Sequence, residues 1–202
     1  MSALAHPLVT VEEYLAFDDA TPGRHEYYRG YILAMAGGTY RHGHVSANVI
    51  VALGNAIDGK PCSVLTSDVR LAVDLDSHYT YPDAMVVCGE PVFTTLGAHT
   101  VRNPIVIVEV LSPSTERADR GRKFTDYRKL ESLREYLLVS PTERRVERYR
   151  RQPGGAWVLH EFVDETGLIR LESLECDLRM ADIYKRVSFE PEAEADLADA
   201  EK

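Results

Sequence analysis

The chain has 202 residues, of which 45% are hydrophobic and 27% charged, with a formal net charge of −9 at neutral pH, and this fits one globular domain large enough to bury a core. It has no apolar stretch of about 18 residues, and its first residues, MSALAHPLVTVEEY, form neither a basic leader nor a secretory apolar core, so a membrane span is excluded and the cytoplasm is expected. Cys62, Cys88 and Cys176 are odd in number, widely spaced and free of any CxxC pair, so neither a disulfide framework nor a zinc site is signalled and a structural role is expected for all three.

In chain order the pattern is mixed α/β. Thr10 with Glu13 three residues on forms a capping box that opens a short helix, TVEEYLAF. HEYYRGYILAMAGG then reads as a hairpin turning near Arg29 and Gly30. HVSANVIVALGNAID carries apolar residues at Val45, Val49, Ala52, Leu53 and Ala56, which is helical spacing, and SVLTSDVRLAVDL reads as the strand after it. YPDAMVVC and NPIVIVEVL are the next strands, followed by a helix from about Asp119 to Leu130 and the strand EYLLVS. RRVERYR and AWVLHEFVD suggest a hairpin across QPGG, and CDLRMADIYKRV a short strand running into a last helix. One domain over 1–189 is expected, with an acidic, disordered tail from 190 to 202.

The net charge argues against nucleic acid, because affinity for a phosphate backbone comes mainly from Lys and Arg. The average conceals a segment, 117–151, with twelve basic residues against six acids, a local balance of +6 that leaves −15 to the rest. The ordinary reading of such a segment is solvated helix and strand faces. Its alternative is a basic surface from Arg117 to Arg151 set beside a functional site.

Two carboxylates carry the chemical signal. Glu109 interrupts the apolar run Ile105 to Leu111, and Asp83 follows Pro82 at the start of the preceding strand. A buried carboxylate is usually neutral, paired or holding a metal. If the two strands are neighbours, the acids meet, and a divalent cation such as Mg²⁺ or Mn²⁺ would reverse their repulsion. Taken singly, Asp83 is equally a turn acid after proline and Glu109 the partner of a buried Arg or of backbone donors.

Pro82-Asp83, then Glu109 within an apolar strand, resembles the PD-(D/E)xK nuclease core. More closely, RHEYYRGYILAMAGG, the HGH before a helix, YPDAMVV, IVEVLSPST, DRGRKFTDY and EYLLV resemble the Uma-two family of restriction-endonuclease-like proteins, from about Thr10 to Tyr184. The resemblance implies a restriction-endonuclease-like core, a mixed β-sheet flanked by helices. It also implies a catalytic set of Glu26, Asp83, Glu109 and Lys123, with Glu26, Asp83 and Glu109 as metal ligands. The position two after Glu109, where the parent motif has its lysine, is Leu111, so the lysine has migrated to the next helix as Lys123. The ammonium's long stem makes such a transfer physically reasonable.

His42 and His44 flank Gly43 just before the helix; the ordinary reading of each is a capping or surface residue, its alternative a group that touches a phosphate or shuttles a proton, and His44, Arg120 and Arg122 are the candidate substrate contacts. Tyr127 reads as packing, and Ser112 and Ser114 as turn and cap residues. The function these implications suit is Mg²⁺-dependent hydrolysis of DNA phosphodiesters, with Mn²⁺ as substitute, by a homodimer. The alternative is a nuclease-fold protein that no longer cuts and serves as a nucleic-acid-binding or protein-interaction module.

Overall fold

In the computed structural model, residues 8–190 are described except Ala36 and Ala98. The expected acidic tail, beyond Glu190, lies outside the described residues. Helix α1 (Val11–Ala20) opens on the Thr10/Glu13 capping box, with both reciprocal hydrogen bonds made. Strands β1 (His25–Tyr28) and β2 (Tyr31–Ala34) form the expected hairpin, its turn made by Arg29 and Gly30 at φ 49° and 89°, the left-handed conformation a two-residue hairpin demands. Helix α2 (Tyr40–Ala56) begins earlier than its apolar period suggests, because the Thr39 hydroxyl accepts the His42 N–H and caps it.

SVLTSDVRLAVDL is not one strand. Ser67 to Arg70 break it into β3 (Cys62–Thr66) and β4 (Leu71–Asp74), which join different sheets, the Val69 N–H turning back to the Thr66 carbonyl. Strands β5 (His78–Thr80), β6 (Ala84–Cys88) and β7 (Val106–Val110) follow. Helix α3 (Glu116–Ala118) continues through a π-helical turn, Asp119–Lys123, into α4 (Phe124–Tyr127). Strands β8 (Glu135–Val139), β9 (Val146–Arg151), β10 (Trp157–Phe162), β11 (Leu168–Leu171) and β12 (Cys176–Arg179) and helix α5 (Met180–Ile183) complete the chain.

The main sheet is mixed, in the order β10-β9-β8-β7-β6-β3, with β7 and β8 parallel and the other pairs antiparallel. A parallel pair needs a crossover, and the α3–α4 segment is that crossover. A second, antiparallel sheet runs β2-β1-β5-β4, and β11 with β12 form a ribbon.

Because strand side chains alternate, Val106, Val108 and Val110 pack with α2, α5 and the ribbon, while Ile107 packs on the opposite face with Leu71, Met85, Tyr127 and Tyr136. Glu109 shares the parity of Ile107. It therefore faces the crossover helix. The small sheet divides likewise: Tyr27 and Tyr79 pack on α1, whereas Glu26 and Thr80 belong to the alternate set.

The antiparallel register of β3 and β6 sets Cys62 opposite Cys88, and the two form a disulfide. This corrects the expectation from cysteine number and spacing, since a separation of 26 residues says nothing of pairing until the register is known. Cys176 is free and buried. Among the described residues no helix is long and apolar enough to cross a membrane.

Candidate active site

Asp83 stands directly before β6 and Glu109 lies in β7, where Ala84 opposes Val108. The register brings the two acids together: the Asp83 N–H lies 3.4 Å from Glu109 Oε2, and Asp83 Oδ2 accepts the Val110 N–H at 2.7 Å. The opposite oxygen, Glu109 Oε1, accepts the Tyr127 hydroxyl at 2.7 Å and lies 3.2 Å from Lys123 Nζ. One carboxylate thus addresses two neighbourhoods, Asp83 on one side and the crossover helix on the other.

On the helix side Lys123 is surrounded. Its Nζ lies 2.9 Å from Glu26 Oε1 and 3.2 Å from Asp119 Oδ1, besides Glu109. Glu26 also accepts the Thr80 hydroxyl. Asp119, Lys123 and Tyr127 recur every fourth residue, the spacing that stacks side chains on one helix face, and all three are buried. The π turn that carries Asp119 and Lys123 belongs to a rare class that concentrates at functional sites.

The electrostatics follow from one ammonium among several acids. Burial raises the Glu109 carboxyl to about 8, Lys123 opposing and Asp119 and Asp83 adding to the rise. Burial raises Asp119 as well. Burial also pushes Glu26 upward, but Lys123 and the Thr80 hydroxyl outweigh it and hold that carboxyl below its usual range. Lys123 stays charged despite burial because Glu109, Glu26 and Asp119 face it. Asp119 Oδ1 has no hydrogen-bond partner, its closeness to Lys123 being an ion pair without hydrogen-bond geometry.

The Asp83 side is the one that solvent reaches. The side chains of Asp83 and His42 are 20% and 19% exposed, against 5% for Glu109 and 6% for Lys123. His42 Nε2 lies 3.0 Å from the Val110 carbonyl and 3.6 Å from Asp83 Oδ2, and Asp83 raises the imidazole's pKa above its usual value. Its companion His44 is not brought there; its ring lies against Tyr40 instead. Both histidines sit inside α2, where two residues apart means about 200° of rotation, so only one can face Asp83.

Arg120 and Arg122 divide as well. Arg120 pairs with Glu116 at 2.8 Å and Glu147 at 2.5 Å, while the Arg122 guanidinium lies over the Tyr28 ring at 4.8 Å. The basic segment is not gathered at the acids. Strand β9 is two places from β7, and several basic side chains of the segment are ion-paired. Arg144 pairs with Glu165, Arg145 with Glu143, Arg148 and Arg150 with Glu172, and Lys129 with Asp126. Charge counted along 117–151 missed acids contributed from beyond it.

Asp119 and the hydroxyl of Tyr127 are the site groups that sequence reading passed over. The available signal was the spacing D-x3-K-x3-Y around Lys123. The small sheet adds buried His78, whose Nδ1 lies 3.0 Å from Asp126 Oδ2 and whose ring stacks on Tyr127.

Among the described residues no three or more His, Cys, Asp or Glu side chains are grouped so as to hold a metal ion. Asp83 and Glu109 meet through the Asp83 N–H and Glu109 Oε2, and of the two side chains Asp83 is the more exposed.

Two uncharacterised proteins of Synechocystis sp., slr1290 and sll1609, are 32% identical over 183 residues and 33% identical over 168, covering 91% and 83% of this chain and 95% of each relative. A crystal structure from Anabaena variabilis, described as "a putative nuclease belonging to DUF820", shares the fold with a TM-score of 0.71 at 19% identity, covering 87% of this chain and 97% of that one. A family model described as "Putative restriction endonuclease" matches residues 11–182, and the chain belongs to this family, Uma2.

Proposed function

We infer that this chain is a metal-dependent endonuclease that hydrolyses DNA phosphodiester bonds, with Glu26, Asp83, Glu109 and Lys123 as its catalytic set. The observation that carries this reading is Glu109 itself: a buried carboxylate on a central strand that meets an acid from the neighbouring strand on one side and a buried lysine on the other. An open pair of carboxylates suits Mg²⁺, which keeps several waters and binds through one or two carboxylates together with substrate phosphate; Mn²⁺ has the same preference for oxygen. When bound there, the cation supplies Lewis-acid polarisation of the phosphate and an acidified water.

The chain's own groups do the rest. Lys123 directs its ammonium at the attacking water or at the charge developing on the phosphate. Tyr127 holds Glu109 by its second oxygen, and Glu26 keeps the ammonium charged. His42, placed beside Asp83 at the solvent-reachable edge, is a better phosphate contact than His44. Arg122, stacked on Tyr28, is a second, and Arg120 a weaker one because two glutamates engage it. A homodimer placing two such sites against two strands belongs to the same reading.

The test is calorimetric titration with Mn²⁺, paired with incubation of single-stranded, duplex and branched DNA under Mg²⁺ and Mn²⁺. Binding and cleavage should both vanish in folded Asp83→Asn and Glu109→Gln variants. Unchanged Mn²⁺ binding in both variants removes the site. The second reading, a non-cleaving binding or interaction module, is favoured by the neutralised arginines of the β9 region; it gains if DNA is bound but never cut.

A further inference from the structure

One face of the small sheet runs from the candidate site out to solvent. Residues opposite each other on antiparallel strands share a face, and the register sets Tyr28 opposite Tyr31 and Glu26 opposite Leu33. Tyr27 and Ile32 turn the other way, onto α1. The face from which Glu26 meets Lys123 at 2.9 Å therefore continues through Tyr28 to Tyr31, which is 60% exposed on the edge strand β2.

Two cations join that face. The Arg122 guanidinium lies 4.8 Å from the centre of the Tyr28 ring, and that of Arg29, from the hairpin turn, lies 5.2 Å from it. Among the described residues neither has an ion pair, and Arg122 Nε has no hydrogen-bond partner. Arg148 and Arg150 of β9, by contrast, both reach Glu172.

Resting on the nuclease reading, we propose that this face seats an unpaired DNA strand: a base stacks on the Tyr31 ring while Arg29 and Arg122 take the phosphates beside it, so the substrate is single-stranded DNA or a single-stranded segment of a larger one. Three observations carry it. Rings set beside unpaired guanidiniums match a strand that offers base planes and phosphates in turn, the combination by which single strands are held. In a continuous duplex the bases are stacked on one another, and Tyr31 would meet only backbone. A duplex must then be held by charge, through Lys and Arg on its phosphates, and this chain has a net charge of −9 with Arg144, Arg145, Arg148 and Arg150 engaged by glutamates. Continuity is the third: Tyr28 is two residues from Glu26 on one strand and Arg122 adjoins Lys123, so a DNA strand lying on Tyr31 leads directly to the catalytic set.

The experiment is fluorescence anisotropy on the full chain in Ca²⁺, comparing a labelled single-stranded oligonucleotide with a blunt duplex of the same length, together with sedimentation and a cleavage assay in Mg²⁺. The wild type should bind the single strand about tenfold more tightly than the duplex, or better, and Tyr31→Ala should lose about tenfold on the single strand alone. Tyr31→Phe, which keeps the ring, should bind as the wild type does. Arg29→Ala should weaken single-strand binding and flatten its salt dependence. Equal affinity of the wild type for the two DNAs overturns the proposal, as does undiminished single-strand binding by Tyr31→Ala. If Tyr31→Ala changes the sedimenting mass while single-strand binding is kept, the face is a contact between copies of this chain and the proposal falls. Single-strand binding that depends on Tyr31, without cleavage in Mg²⁺, upholds the strand surface and overturns the nuclease reading, an outcome distinct from the others.

Discussion

Two buried charge clusters in this molecule look alike in composition and differ in completeness. In the first, Arg70 reaches from the segment before β4 to Asp18 at 2.8 Å, Asp19 at 2.7 Å and the Thr100 hydroxyl at 3.1 Å. Asp18 in turn accepts the His25 N–H and the Tyr81 hydroxyl. Every buried polar atom of Arg70 and Asp18 has a partner, and the cluster fastens α1 to the small sheet. In the second, one ammonium serves three acids, with Asp83 close behind, and an oxygen of Asp119 is left over. A network closed by the chain itself is structural. On the function proposed above, the surplus of acids in the second is what a bound cation would offset.

The largest effect expected from breaking this contrast lies in the closed cluster. Arg70→Ala strands the buried Asp18 and should destabilise the fold by about 3–5 kcal/mol, the usual consequence of removing one partner from a buried pair. Urea denaturation measures it, and Mn²⁺ affinity measured below the transition should be unchanged. A loss of under about 1 kcal/mol would erase the distinction drawn between the clusters.

Next is Lys123. Its replacement by Ala should lower DNA cleavage by about a hundredfold or more, the effect of removing a positioned electrostatic group, with Mn²⁺ still bound on the Asp83 side. Lys123→Arg should rescue little, since a planar fork does not fit a seat shaped for a point charge. Cleavage at the wild-type rate would return Arg120 or Arg122 to candidacy.

The open cluster also has a pH signature. With its carboxyl raised to about 8, Glu109 keeps a proton in the folded protein that the unfolded chain has already released above its ordinary value of 4.5. Its stabilising contribution is therefore complete below that ordinary value and lost as pH rises through about 8. Asp119, also raised, adds in the same direction. Glu26, lowered, contributes stability above its ordinary value that is lost only in more acidic solution, so it does not cancel the trend. Metal-free protein should lose on the order of 4 kcal/mol of stability between about pH 5 and about pH 9. Glu109→Gln, which imitates the protonated acid, should flatten that slope, and an equal slope in the variant would place the titration elsewhere.

The smallest effect concerns the basic surface. Reversing Arg144 and Arg145, already paired with Glu165 and Glu143, should change DNA affinity in Ca²⁺ by about fivefold or less, the scale of a surface ion pair. Reversing Arg122 should weaken binding more and reduce its salt dependence, each phosphate contact contributing about −0.9 to the logarithmic slope. Fluorescence anisotropy over a salt series ranks them. A larger effect at Arg144 and Arg145 would restore the β9 face as the nucleic-acid surface.

Local physics alone determined much of this protein. The Thr10 capping box, the Arg29-Gly30 hairpin turn, the apolar period of α2 and the apolar run on either side of Glu109 each state their element without reference to distant residues, because caps, turns and side-chain periodicity act within a few positions. The meeting of Asp83 with Glu109 was foreseeable as soon as their strands were taken as neighbours. Register and crossover geometry decided the rest. They paired Cys62 with Cys88 across two strands, split SVLTSDVRLAVDL between two sheets, turned His42 and not His44 toward Asp83, and lent acids from beyond residue 151 to the basic segment. They also set Glu26, Asp119 and Tyr127 around the lysine side of Glu109. Each is a contact between side chains whose partners are fixed only when strand order, strand parity and helix rotation are known together, and no spacing along the chain encodes those three at once.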